Sequence, residues 1–152
     1  MSMVDISAKP EVYREAKAKG VIKLKVETIQ RIREGKIEKG DPFEVAKVAG
    51  ILAAKNTSSS IPLCHPLPLT NVEVQLRIVD NTKVEAEITV KTRSQTGVEM
   101  EALTATATSL LTVWDMTKQY EKDVNGQYPS TAIQNIHVVN KVKEKNNERV
   151  FK

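Results

Sequence analysis

From Gly97 to Tyr120 the chain reads GVEMEALTATATSLLTVWDMTKQY, and nothing after Gly97 breaks a helix. The thirteen residues between Glu101 and Asp115 carry no charge and are rich in Ala, Leu and Thr. At about 100° per residue, Leu103, Ala107, Leu110 and Trp114 form one apolar stripe. Ala102, Ala105, Ser109, Val113 and Met116 form a second surface, smaller and almost as apolar. A helix apolar on two sides needs two partners, so one face is expected on a sheet and the other on another subunit. The small-residue face around Ala105, Ser109 and Val113 would expose much apolar surface in a monomer, which predicts a homo-oligomer with a dimer as its smallest functional unit.

The charges sit at the helix ends. Glu101 and Asp115 are fourteen residues apart, on nearly the same side but about 21 Å from each other along the axis. Within one helix they cannot flank one bond as an acid/base pair. If both touch one ligand, that ligand is long or the pocket borrows from a neighbouring chain. Asp115 and Lys118 have i,i+3 spacing and are neighbours. On helix logic alone they read as an exposed ion pair near a helix end.

The 152 residues suit a single domain with a real core. No apolar run approaches the ~20 residues of a membrane span, and the N-terminus lacks a signal pattern. One cysteine excludes an intrachain disulfide, which favours a reducing, cytoplasmic setting. A net charge of +4 suits an anionic ligand and equally a plain solvated surface. Aromatics at 4% leave little for stacking single-stranded nucleic acid.

In chain order, residues 1–19 lack a core-forming period and read as a mobile polar arm. A short strand follows from Gly20, then a helix on Val26, Ile29 and Ile32 that Gly35 stops. Asp41 caps a second helix with Pro42 at its first position and Glu44 at the capping-box site. Val45, Val48, Ala49 and Leu52 are its expected buried stripe, and Thr57 to Ser60 a flexible loop. Three prolines between Ile61 and Pro68 force extended backbone. Val72 to Ile78 and Val84 to Val90 alternate apolar and polar residues around an Asp80-Asn81 turn, a hairpin with one buried face. Ile133 to Val139 supply a last strand after a loop, leaving residues 20–141 as the folded domain and 142–152 as a charged tail. The order β-α-α-β-β-α-β is a split β-α-β plan with one extra helix, an α+β class with an antiparallel sheet and helices on one face.

Taken alone, Cys64-His65 is ambiguous. Adjacent residues chelate one metal poorly, there is no second cysteine, and no metal site is assigned. A histidine between prolines is commonly a packed or hydrogen-bonded residue. Lys39 and Lys55 read as solvated surface.

Three stretches together change that weighting. IPLCHPLPLT at Ile61–Thr70, TGVEMEALTA at Thr96–Ala105 and DMTK at Asp115–Lys118 closely resemble the molybdenum cofactor biosynthesis protein C family. VDISAK near the start, KGD at Lys39–Asp41 and AGILAAKNTS at Ala49–Ser58 are similar to the same family in the same order, so nearly the whole chain is covered. The resemblance implies a ferredoxin-like α+β fold assembled as a homohexamer, a trimer of dimers with the active site at the dimer interface. It implies a cyclic pyranopterin monophosphate synthase, a lyase. Such an enzyme rearranges 3′,8-cyclo-7,8-dihydro-GTP, made by a partner radical-SAM GTP cyclase, into a pterin-type product with loss of pyrophosphate.

On the matched motifs, Asp115 and Lys118 correspond to the family's catalytic pair. Leu63, Cys64 and His65 fall on one substrate-binding segment and Met100 and Glu101 on another, while Arg14, Lys39, Lys55 and Lys141 match basic residues around the substrate. A triphosphate is held and neutralised by such cations, and a lysine among other cations can exchange protons. No cofactor is required by these residues; a divalent cation such as Mg²⁺ suits a triphosphate but has no assigned ligand. Cys64 is expected to shape the pocket wall, because the implied chemistry needs no covalent step. His137 stands where the family usually has Arg and Asn135 where it usually has Asp, a longer loop spans Gly126 to Thr131, and Val142 to Lys152 replace a glycine-rich ending. A nucleotide-binding or regulatory module without turnover is the competing class. An RNA-binding domain would need sheet-face aromatics, and Val72–Val90 has none.

Overall fold

A computed structural model describes residues 1–145. In chain order these form β1 (Val12–Lys23), α1 (Val26–Glu34), α2 (Pro42–Lys55), the single-turn α3 (Thr57–Ser60), β2 (Leu69–Asp80), β3 (Lys83–Ser94), α4 (Glu99–Glu121) and β4 (Ala132–Lys143). The strands make one antiparallel sheet ordered β2-β3-β1-β4, the α+β plan expected from the element order. Helix punctuation follows the residues. Asp41 accepts from Phe43 N–H at 2.9 Å at the start of α2, and Gly35 closes α1 with φ 67°. Glu44 does not complete a capping box but pairs with Lys47 at 3.1 Å. Thr57 to Ser60 are a helical turn rather than a flexible loop, held by the Thr57 hydroxyl donating to the Ala53 carbonyl at 2.9 Å.

Strand β1 begins well before Gly20. Residues 12–19, expected in a mobile arm, instead lie in the middle of the sheet between β3 and β4. Val12, Ala16, Ala18, Gly20 and Ile22 are buried on the helix side, a period of two carried largely by Ala and Gly. Small residues stand there because α4 lies directly on them. A Cβ added at Gly20 would come within 2.9 Å of Leu110 Cδ1 and Ile136 Cγ1, and 3.0 Å of Thr106 Cγ2. At the other end, β4 runs to Lys143, and Glu144 N–H donates to the Tyr13 carbonyl at 2.9 Å, so the start of the expected tail belongs to the sheet. The rest of that tail, 146–152, lies outside the described residues.

The second partner of α4 is α2 of the same chain, not another subunit. Ala102, Ala105, Ser109 and Val113 are all fully buried within one chain, and the Ser109 hydroxyl donates to the Ala46 carbonyl at 3.2 Å. Helix α2 meets α4 through Ala46, Gly50 and Ala54, spaced i,i+4, because only small residues allow so close an approach. The expected stripe on α2 is therefore inverted. Val45, Val48 and Leu52 are 46%, 58% and 53% exposed, facing away from the core.

Two further features hold the frame. Glu121, at the end of α4, is fully buried and accepts from Lys25 N–H at 3.1 Å, from the Thr131 hydroxyl at 2.6 Å and from the Thr28 hydroxyl. Lys25 offers no side-chain cap to α1, so a carboxylate from α4 occupies that N-terminus and ties three segments together. The edge strand β4 carries two register shifts; at one of them Asn135, at φ 58°, and Ile136 face Gly20 alone. Asparagine tolerates that left-handed conformation, and such bulges blunt an edge strand against further pairing.

Replacing Gly50 by Ala tests the α2–α4 contact. The new Cβ would overlap the Ser109 hydroxyl and stand 3.0 Å from Val74 Cγ2, so the hydroxyl must turn and lose Ala46. Overpacking of about 1–3 kcal/mol should outweigh a helix-propensity gain of about 0.5–1 kcal/mol. Gly50→Ala is expected to lower the melting temperature by about 2–6 °C; a thermal melt showing a rise would mean that the helices can part without cost.

Candidate active site

Helix α4 carries functional side chains at both ends. Near its C-terminal end, Asp115 Oδ1 meets Lys118 Nζ at 3.1 Å and Asp115 Oδ2 meets Lys39 Nζ at 3.3 Å. Lys39 also donates to the Asp115 backbone carbonyl at 3.0 Å. The hydrogen bond from Lys118, then that from Lys39, holds the Asp115 carboxyl below the usual aspartate range. Lys118 reaches Asp115 by helical spacing, but Lys39 arrives from the turn between α1 and α2. That turn is fixed to α4: Glu38 N–H donates to the Tyr120 hydroxyl at 2.9 Å and Gln119 Nε2 donates to Glu38 Oε2 at 3.0 Å. Gly40, at φ 114°, turns the chain just after Lys39. The result is an exposed carboxylate between two ammonium groups, able to hold one lysine in place while the other meets an anion.

At the N-terminal end of α4 the proline-rich segment lies across the first turn. A cavity of about 400 Å³ is lined there by Leu63, Cys64, His65, Glu99 and Met100, together with residues of the N-terminal segment. His65 Nε2–H donates to the Val4 carbonyl at 2.8 Å, which fixes the ring's tautomer. Glu101 lies beneath Cys64, its Oε2 3.9 Å from Sγ. Glu101 is 3% exposed, and its Oε1 has no hydrogen-bond partner among the described residues. Burial pushes the Glu101 carboxyl above the ordinary glutamate range, and the nearby charge of Glu99 adds to the rise. Burial likewise raises the Cys64 thiol, with the Glu101 charge reinforcing it. A thiol kept protonated is a poor nucleophile, in line with a wall-forming role. Lys141 pairs with Glu99 at 3.1 Å and so joins this end.

Arg14 and Lys55 fall in neither cluster. The Arg14 guanidinium donates to the Ser94 and Gln95 carbonyls, each at 3.3 Å, and supports the loop that leads into α4. Lys55 lines a separate shallow cavity with Ile51, Leu69 and Val72. One chain thus brings Asp115, Lys118 and Lys39 together and, separately, Leu63, Cys64, His65, Met100, Glu101 and Lys141. Both groups share the continuous helix Glu99–Glu121, with about 21 Å between Glu101 and Asp115. Sequence reasoning missed Glu99, the Glu38–Tyr120 brace of Lys39, and Val4, Ile6 and Lys9 at the cavity. Only VDISAK, a matched stretch placed in a mobile arm, pointed toward the last three. Among the described residues no group of three or more His, Cys, Asp or Glu side chains is placed to hold a metal ion, and no helix is long and apolar enough to cross a membrane.

Comparison with known proteins gives the family. The MoaC family model matches residues 3–144, and the chain belongs to the MoaC family. It is 57% identical over 143 residues to a protein of Saccharolobus solfataricus named probable cyclic pyranopterin monophosphate synthase, covering 94% of this chain and 95% of the relative. A Pyrococcus horikoshii protein of the same name is 51% identical over 148 residues, covering 97% and 92%. A Methanothermobacter thermautotrophicus relative, 52% identical over 141 residues and covering 93% and 88%, is named a probable accessory protein of that synthase.

The buried Glu101, with one carboxyl oxygen lacking a hydrogen-bond partner among the described residues, makes a pH-dependent prediction. Its folded-state value is raised, so its contribution to stability is complete below the unfolded glutamate value near ~4.3 and is lost as pH rises through the folded value. Glu101→Gln should therefore melt a few degrees, roughly 2–4 °C, above wild type at neutral pH. The gain should vanish near about pH 4. Parallel melts at the two pH values check it, and a gain independent of pH would place the effect in packing.

Proposed function

We propose that the protein is a cyclic pyranopterin monophosphate synthase of molybdenum cofactor biosynthesis, converting 3′,8-cyclo-7,8-dihydro-GTP to cyclic pyranopterin monophosphate with release of pyrophosphate. The observation that carries this reading is the Lys39–Asp115–Lys118 cluster, found in a chain that aligns over nearly its whole length with relatives bearing that synthase name. Lys118 exchanges protons during the rearrangement, Asp115 orients it, and Lys39 adds positive charge where phosphate oxygens accumulate charge. Leu63, Cys64, His65, Met100 and Glu101 hold the rest of the substrate, with Lys141 at the rim and Lys55 and Arg14 farther out. The Lys141–Glu99 ion pair, at 3.1 Å, sits at that rim.

The working unit is a homo-oligomer, with the C-terminal cluster of one chain completing the cysteine–histidine pocket of another. Two features support this. The halves lie about 21 Å apart along one helix, and α2 turns Val45, Val48 and Leu52 outward, an apolar surface of the kind that subunit contacts cover. A trimer of dimers is the assembly read from the family. The substrate comes from a radical-SAM GTP cyclase in the cytoplasm. A nucleotide-binding module without turnover is separated from this reading by one assay, the appearance of pyrophosphate when the cyclised substrate is supplied.

Two experiments probe the roles. Lys118→Arg keeps the positive charge but removes the ability to give up a proton. It should bind substrate nearly normally and lose about 10²–10⁴-fold in single-turnover rate; a loss of only a few-fold would leave Lys118 a phosphate anchor. Mixing inactive Lys118→Arg with inactive His65→Ala tests the shared site. Random exchange of subunits gives half heterodimers, each with one intact site, so activity should return to about a quarter of wild type. Mixtures that stay inactive after subunit exchange would show that each chain completes its own site.

A further inference from the structure

Lys39 lies on a short segment bounded by two glycines of positive φ, Gly35 at 67° and Gly40 at 114°. Glycine loses more backbone freedom on ordering than any other residue, so such a segment is costly to hold in one place. The ion pair to Asp115 is a weak tether for it. The two side chains are 42% and 61% exposed, and a pair so open to water contributes little by itself. Stronger anchors lie on either side of that contact. Ile37 is buried, and Glu38 makes two bonds to neighbouring residues of α4: its N–H donates to the Tyr120 hydroxyl at 2.9 Å and its Oε2 accepts from Gln119 Nε2 at 3.0 Å.

Tyr120 is itself gripped. The Arg31 guanidinium, in the last turn of α1, stands 4.5 Å over the tyrosine ring and donates to the Lys36 carbonyl at 3.3 Å. The next residue, Glu121, accepts from Lys25 N–H at the other end of α1. Three consecutive residues after Lys118 therefore clamp α1 at its start and the Lys39 segment beyond its end. We propose that Tyr120, helped by Gln119, is a positioning residue of the site, which sets Lys39 against Asp115 without touching substrate. The part Lys39 plays in turnover rests on the synthase reading, whereas its placement by Tyr120 stands on the geometry alone. Because Tyr120 and Lys118 share one helix, the lysine from the turn and the lysine from α4 are mounted on a common rigid base, as two cations meeting one polyphosphate require.

Asp115 reports whether Lys39 is in place, since Lys39, after Lys118, helps to hold its carboxyl below the usual aspartate range. The test uses the full chain as wild type, Tyr120→Phe and Tyr120→Phe with Gln119→Ala, each also in a Lys39→Gln background. Phenylalanine keeps a ring beneath Arg31 and removes only the oxygen. In a carboxyl-carbon NMR titration without substrate, the Asp115 value should rise toward that of an ordinary aspartate, more in the double variant than in the single. Neither change should add to the rise that Lys39→Gln produces by itself. With the cyclised substrate, the double variant should lose about tenfold in kcat and keep KM within about threefold. In the Lys39→Gln background the same change should cost less than about twofold. An Asp115 titration unmoved by the double variant, or an equal kcat loss with and without Lys39, would overturn the positioning role. A lower melting temperature with titration and kcat both unmoved would do so too, leaving the brace a matter of stability. Wild type that turns over no substrate would instead overturn the synthase reading, and the Asp115 titration would still decide the brace.

Discussion

Everything in this fold is arranged around how closely α4 can be approached. It lies on the sheet over Gly20 and against α2 over Gly50, and at both places a single added carbon would collide with α4 side chains. Backbones brought that close gain dispersion contacts along both faces of a helix that has almost no charge between its ends. The cost is that α4 accepts only small residues opposite it, which is why β1 presents Ala16, Ala18 and Gly20 and α2 presents Ala46, Gly50 and Ala54. At its far end α4 is pinned by the buried Glu121 carboxylate, which at once satisfies its own lone pairs and the free N-terminus of α1.

A helix held so firmly makes a good spacer for chemistry. Its two ends carry carboxyl groups in opposite surroundings. Asp115 is exposed between two ammonium groups and stays ionised; Glu101 is buried beside a thiol and another carboxylate and resists ionisation. The same residue class is therefore tuned in two directions by what packs around it. The C-terminal end is a charge-rich surface suited to phosphate and proton exchange, and the N-terminal end is an open cavity lined by Cys64, His65 and Glu99.

The distribution of large apolar side chains follows from the same close approach. Because the α2–α4 contact is filled by small residues, Val45, Val48 and Leu52 have no place inside and point to solvent in one chain. The apolar face expected to join subunits through α4 is consumed within the chain, and large apolar side chains are left exposed on α2 instead. An apolar stripe in a sequence states that burial is favoured, not which partner supplies it.

The sequence by itself determined the element order, the hairpin of β2 and β3 (though the turn is Asn81-Thr82, one residue later than Asp80-Asn81), the caps at Gly35 and Asp41, and the pairing of Asp115 with Lys118, since each depends on contacts within a few residues. Resemblance added the family and the segments Leu63–His65 and Met100–Glu101, which do lie together. Tertiary structure alone decided where β1 begins, because its period of two is written in Ala and Gly, whose weak hydrophobic signal becomes legible only beneath α4. It alone turned α2 over, brought Lys39 to Asp115 through the Tyr120 brace, set Lys55 and Arg14 apart from both clusters, and folded the N-terminal segment onto His65. The reason is common to all four: each joins residues far apart in the chain, and the energy that selects them comes from packing that no local window contains.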